Sequence, residues 1–171
     1  MRLIVATILA FMSVKAFAYE PIPELAPLAP FVGKTWKSEG DGSDESEASA
    51  DISKWEWAMH GRAVRITHAV GGGSYGGESL IHWDAQLQKI IFRYLTTAGF
   101  YTDGVITPTD DGIEVHEYVR GAKSGPTEAR SGYKMSGGEM HGWAQFKVDG
   151  EWAALSEFRY HETTGETPNM D

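Results

Sequence analysis

The chain has 171 residues, 24 acidic against 15 basic side chains, a formal charge of −9 and no cysteine. With a leader set aside, about 150 residues make one domain, long enough to bury a core or wrap a cavity. The acidic balance repels phosphate backbones and anionic lipid, which disfavours nucleic-acid and membrane-surface partners, and the missing cysteine excludes a disulfide framework and a thiol nucleophile.

Residues 1–18, MRLIVATILAFMSVKAFA, open on Arg2, run apolar from Leu3 to Val14 and close on Ala16-Phe17-Ala18. That is the layout of a secretory signal peptide with a small-x-small cleavage site, too short for a comfortable transmembrane span. The mature chain is then expected to start at Tyr19 in the periplasm or outside the cell, with no membrane partner after cleavage. A cysteine-free exported chain suits a bacterial periplasm. Residues 19–30 contain Pro21, Pro23, Pro27 and Pro30 and read as an extended or loosely helical lead-in. Leu28, Phe31 and Val32 lead through Gly33 into Trp36. A glycine turn that delivers a large aromatic onto a first strand is a way to plug one end of a small barrel, and such a burial stabilises by about 1.5–3 kcal/mol. The acidic stretch 40–49, GDGSDESEAS, reads as a barrel-mouth loop. Its acids lack the positions of a calcium-binding hand, so no metal site is expected there.

From Ala50 the period becomes two. Ile52 falls on one face and Trp55 and Trp57 on the other, with a bulge expected near Ser53. His60-Gly61 is a turn, and the next strand, 62–70, carries Val64, Ile66, His68 and Val70 on one side. The run GGGSYGG reads as a flexible hairpin loop; no Lys-Ser/Thr pair or helical period follows it, so it is not a phosphate cradle. Strands are expected at 78–83, 89–97, 100–107, 112–120, 127–135, 139–148 and 151–161, separated by short turns such as Asp110-Asp111-Gly112 and Ser136-Gly137-Gly138. No segment has a helical period. The fold expected is all-β, a single antiparallel up-and-down β-barrel of about ten strands over 31–162, because closure removes both sheet edges. Residues 163–171 read as a disordered polar tail.

Gly33-x-x-Trp36 ahead of a long β-meander resembles the calycin group: lipocalins, fatty-acid-binding proteins and nitrobindins. The run from Gly76 to Gly104, GGESLIHWDAQLQKIIFRYLTTAGFYTDG, is similar to uncharacterised bacterial domains with lipocalin-like barrels. It sets a glycine-led strand, an aromatic-Asp turn, an aromatic strand and a Thr-x-Gly turn in order. In the calycins a basic residue of the last strand packs on the first-strand tryptophan. Trp36 and Arg159 are the matching positions, so the resemblance implies barrel closure by Arg159 over the indole. No cofactor is otherwise expected. The nitrobindin likeness implies haem as an alternative, with His161 as its one applicant near the last strand, although YHETTGE does not resemble the nitrobindin ending.

The histidines His60, His68, His82, His116, His141 and His161 form no H-x-H or H-x-x-x-H pair, so the sequence predicts no metal site. No Gly-x-Ser-x-Gly elbow occurs. His116, His141 and Arg93 lie on polar strand faces, whereas His68 lies on an apolar one. Three other apolar faces (Ile90 to Thr96, Ile113 to Val119, and Trp152 to Tyr160, each taken at alternate residues) are interrupted by polar groups. If these faces line a lumen, the ligand-binding candidates are His68, Phe92, Tyr94, Glu117, Phe158 and Tyr160. A few fixed polar groups in an apolar concavity suit a small-molecule site. The function expected is an exported carrier of a small apolar or aromatic molecule. With no nucleophile motif, catalysis is the alternative: an isomerase- or hydrolase-type enzyme using a luminal Glu, His or Tyr. In the plainest reading Glu117 pairs with Arg65 or Arg93 and only shapes the wall.

Overall fold

The computed structural model describes residues 20–39 and 50–170. The expected signal peptide, its cleavage point and the acidic loop 40–49 lie outside the described residues.

Eleven strands follow one another: β1 (Lys34–Ser38), β2 (Asp51–Ala58), β3 (Ala63–Val70), β4 (Tyr75–Asp84), β5 (Lys89–Thr96), β6 (Tyr101–Pro108), β7 (Gly112–Arg120), β8 (Glu128–Ser136), β9 (Glu139–Val148), β10 (Glu151–Trp152) and β11 (Ser156–Thr163). Each of β1 to β9 pairs antiparallel with its successor, and β11 lies between β9 and β1. Ten strands therefore close into an up-and-down barrel, with β10 as a short flap on the end of β9. Alternation is kept around the ring. In β2, β4, β7 and β8 the odd residues point inward; in β3, β5, β6, β9 and β11 the even ones do.

Three local readings are corrected. No bulge interrupts β2, which pairs with β3 residue for residue from Asp51↔Val70 to Ala58↔Ala63. Ile52 and Trp55 differ in parity and need no slip to face opposite ways. The glycine run after Val70 is only half loop: Gly71–Gly73 turns the chain, and β4 already begins at Tyr75. A Cβ on Gly76 or Gly77 would collide with the carbonyl of His68 or Leu95, so glycine here serves a close strand approach rather than flexibility. Finally, the segment 151–161 is not one strand. β10 pairs with Val148 and Lys147, whereas β11 pairs with β9 from Ala144 to Met140, and residues 153–155 step the chain down between them. Trp152 consequently leaves the face it was expected to share with Phe158 and Tyr160. It lies outside the barrel, 3.6 Å from the Arg130 guanidinium.

One end of the barrel is plugged by the lead-in. Pro23–Leu28 forms a 3₁₀ helix whose Leu25 and Leu28 are fully buried, and Phe31 and Trp36 pack behind them. The Ile22 N–H donates to the Gly61 carbonyl (3.1 Å), which fastens the plug to the β2–β3 turn. Gly33 adopts φ +85°, a conformation that costs a glycine little, and its N–H donates to the Trp55 carbonyl at 2.8 Å. The Trp36 indole N–H donates to the Phe31 carbonyl at 3.0 Å.

Closure by Arg159 is not what the geometry shows. Trp36 pairs with Glu162 and Ser38 with Tyr160, so Arg159 lies past the end of β1, exposed on the outer face. The cation over the Trp36 ring is Lys34, 5.0 Å from its centroid and 3.5 Å from the Glu162 carboxylate. The tail expected to be disordered also makes contacts. Glu166 pairs with Lys37 at 3.2 Å, and Met170 lies 3.2 Å from where a Cβ on Gly76 would sit. Lys37, Ile52, Ala69 and Gly76 form one cross-strand row over β1 to β4, so the tail straps that outer face.

Candidate functional site

Between the plug and the end that carries the β3–β4 turn lies a cavity of about 290 Å³. Its floor is apolar: Trp55, Ile81, Phe92, Ile106, Ile113 and Met140, each under a tenth exposed. These are inward positions of alternating strands, and the period of two alone places them there. Phe146 also lines the cavity and, half exposed, stands at its rim.

The wall is polar and continuously hydrogen-bonded. The Tyr160 hydroxyl donates to Asp51 Oδ2 at 2.7 Å, and Asp51 Oδ1 lies 3.0 Å from His68 Nδ1. His68 Nε2 is 2.6 Å from the Tyr94 hydroxyl, which is 3.0 Å from that of Tyr75. Five side chains from five strands thus form one line of partners. With Asp51 ionised, Nδ1–H donates to it and Nε2 accepts from Tyr94 O–H; the reverse arrangement, Tyr94 donating to Tyr75, requires an imidazolium. The phenols stay protonated. Burial raises the pKa of Tyr94 and Tyr75, burial and the Asp51 charge hold Tyr160 well above its ordinary value, and burial pushes Tyr133 up to about 12.

Across the lumen Glu117 comes from β7. Its cross-strand partner is Gly104, which in turn pairs with Phe92. A Cβ on Gly104 would come within 2.8 Å of Glu117 Cα and 2.9 Å of the Phe92 ring, so the missing side chain lets those two residues approach each other. Thr102 donates to Glu117 Oε2 at 2.6 Å. Burial raises the Glu117 pKa against the opposing pull of that bond and of His116. The two arginines expected to neutralise it are engaged elsewhere, Arg65 with Glu78 (3.5 Å) and Arg93 with Asp103 (3.9 Å). A buried carboxyl with one hydroxyl partner is the least compensated group of the lumen.

Of the residues singled out from sequence, His68, Phe92, Tyr94, Glu117 and Tyr160 line this one cavity. Phe158 also points inward but stands at its flank, tilted against Tyr133 (5.7 Å), edge-to-face with Tyr160 (5.6 Å) and packed into the space left by Gly142. Arg159 and Phe158 border a second, open cavity of about 780 Å³ with Glu39, Lys134, His141 and Glu157, and Ile113 and Tyr133 line both cavities. Asp51 and Tyr75 were not anticipated. Extending the parity of Trp55 back to the first residue of β2 finds Asp51, and carrying that of Ile81 back into the glycine run finds Tyr75.

His161 is exposed on the outer face opposite Lys37, and both nitrogens of the luminal His68 are already engaged. Among the described residues no group of three or more His, Asp or Glu side chains is placed to hold a metal ion. In sequence comparison neither a protein-family model nor a curated protein matches this chain.

Proposed function

We propose that this protein binds one small, largely apolar molecule in the barrel lumen, with a polar end turned to the Tyr94 wall. The reading extends to an exported carrier, a step supported by the signal-like residues 1–18. The observation that carries the reading is a cavity of about 290 Å³ with an apolar floor and a convergent polar wall. An apolar protein cavity of about 150 Å³ already takes up benzene, so this lumen has room for a substituted six-membered ring. A packed structural core would leave no such space.

Titration with 4-fluorophenol followed by ¹⁹F NMR tests this, alongside native mass spectrometry of protein purified from its own host. A bound resonance that is lost on filling the lumen by Ile106→Trp is the expected result. Absence of a bound resonance, together with an intact mass free of any small molecule, overturns the reading.

A further inference from the structure

We propose that the lumen does chemistry on its ligand: Glu117 removes a proton from the carbon beside a carbonyl while Tyr94 holds the carbonyl oxygen, so the substrate class is small enolisable ketones. This rests on lumen binding and adds a reaction to it.

Three features of the site carry the inference. Tyr94 and Glu117 line the same cavity and meet at Thr102, which is the cross-strand partner of Tyr94 and the hydrogen-bond donor to Glu117. That donation engages Oε2, leaving Oε1 as the oxygen for a substrate proton. Tyr94 is in turn backed by His68 and Asp51, bonded at 2.6 Å and 3.0 Å, a chain that fixes its hydroxyl. Catalytic residues here are Glu117 and Tyr94; His68 and Asp51 are positioning residues, because His68 bonds Tyr94 directly and Asp51, itself held by Tyr160, bonds His68 from behind.

The step balances without a co-reactant. The Glu117 carboxylate takes the α-proton, the C–H electron pair becomes the C=C bond of an enolate, and the carbonyl pair moves onto oxygen. There the Tyr94 O–H stabilises it, turned from Tyr75 to that oxygen in the arrangement in which the His68 imidazolium donates Nε2–H to the Tyr94 oxygen. Return of the proton from Glu117 to the same carbon regenerates the ketone. Return to the γ-carbon of a β,γ-unsaturated ketone moves the double bond into conjugation. Raising a carboxylate's basicity by burial lowers the barrier to taking a proton from carbon, a pattern known in other isomerases that pair a carboxylate base with a phenol donor.

The experiment is α-proton exchange of cyclohexanone in D₂O, read by ¹H NMR with the full chain, with binding of the same ketone followed in parallel by line broadening. The expected result is exchange above the buffer rate, at least 100-fold slower in Glu117→Gln with binding retained, and at least 10-fold slower in Tyr94→Phe. His68→Ala slows exchange without weakening binding; a change in both would mean that the histidine merely supports the wall and would remove the positioning role. Binding with wild-type exchange no faster than Glu117→Gln overturns the catalytic inference and leaves the carrier intact. Absence of cyclohexanone binding overturns this inference alone while 4-fluorophenol still binds, and overturns the lumen reading with it when 4-fluorophenol binding is absent too.

Discussion

Glu117 is the residue at which structure and stability pull apart. Burial raises its carboxyl above the ordinary 4.5, so folding disfavours the ionised form. The sign follows from linkage: the group's support for the fold is complete below about pH 4.5 and is lost as pH rises through the raised value. Glu117→Gln is therefore expected to be more stable than wild type at pH 7–8, with the gain shrinking towards pH 4, as read from urea midpoints across that range. A stability difference independent of pH would contradict the burial argument. Tyr160 presents the opposite case. Its hydroxyl is one of the two partners holding the Asp51 carboxylate, and Tyr160→Phe leaves one oxygen short of a donor. The expected loss is about 1–2 kcal/mol in chemical denaturation.

At the scale of elements, the lead-in and the glycine strands set the shape of the lumen. Leu25 is wholly buried in the plug, so Leu25→Ala should cost about 2–5 kcal/mol in unfolding free energy, a size that a mere linker would not give. Gly104→Ala would drive a Cβ against the His116 carbonyl and the Phe92 ring, displacing β7 from β6. An overpacking cost of about 1–3 kcal/mol and weakened 4-fluorophenol binding are expected together. Strands and turns are largely legible because half-buried strands alternate, and the same alternation marks His68, Tyr94, Glu117 and Tyr160 as polar breaks in apolar faces. The plug was not legible as a plug. A proline-rich stretch reads as linker, and burial of Leu25 depends on strands far along the chain. The break before β11 was equally hidden, since 151–161 alternates well enough to pass for one strand; only the stagger of β9 pairing divides it. Arg159 is half legible: its parity, opposite to that of Phe158 and Tyr160, already faces it outward in the sequence, and only the register that carries it past β1 is hidden.

For the whole molecule, a ligand that enters only the folded lumen must raise stability by mass action. At a free concentration 100 times its dissociation constant the gain is about 2.7 kcal/mol, visible as an upward shift in melting temperature that Ile106→Trp should abolish. The ring topology also governs how the chain reaches this state. β1 makes its first partner, β2, early in the sequence, but its other edge waits for β11, the last strand made. During synthesis, every intermediate that lacks residues 156–163 carries two open sheet edges, and the non-local pairing that seals them is entropically late. A chain truncated after Val148 should therefore not settle as a smaller barrel; size-exclusion chromatography is expected to show association through those edges. Premature closure is therefore denied to the nascent chain: the ring stays open until residues 156–163 have been made.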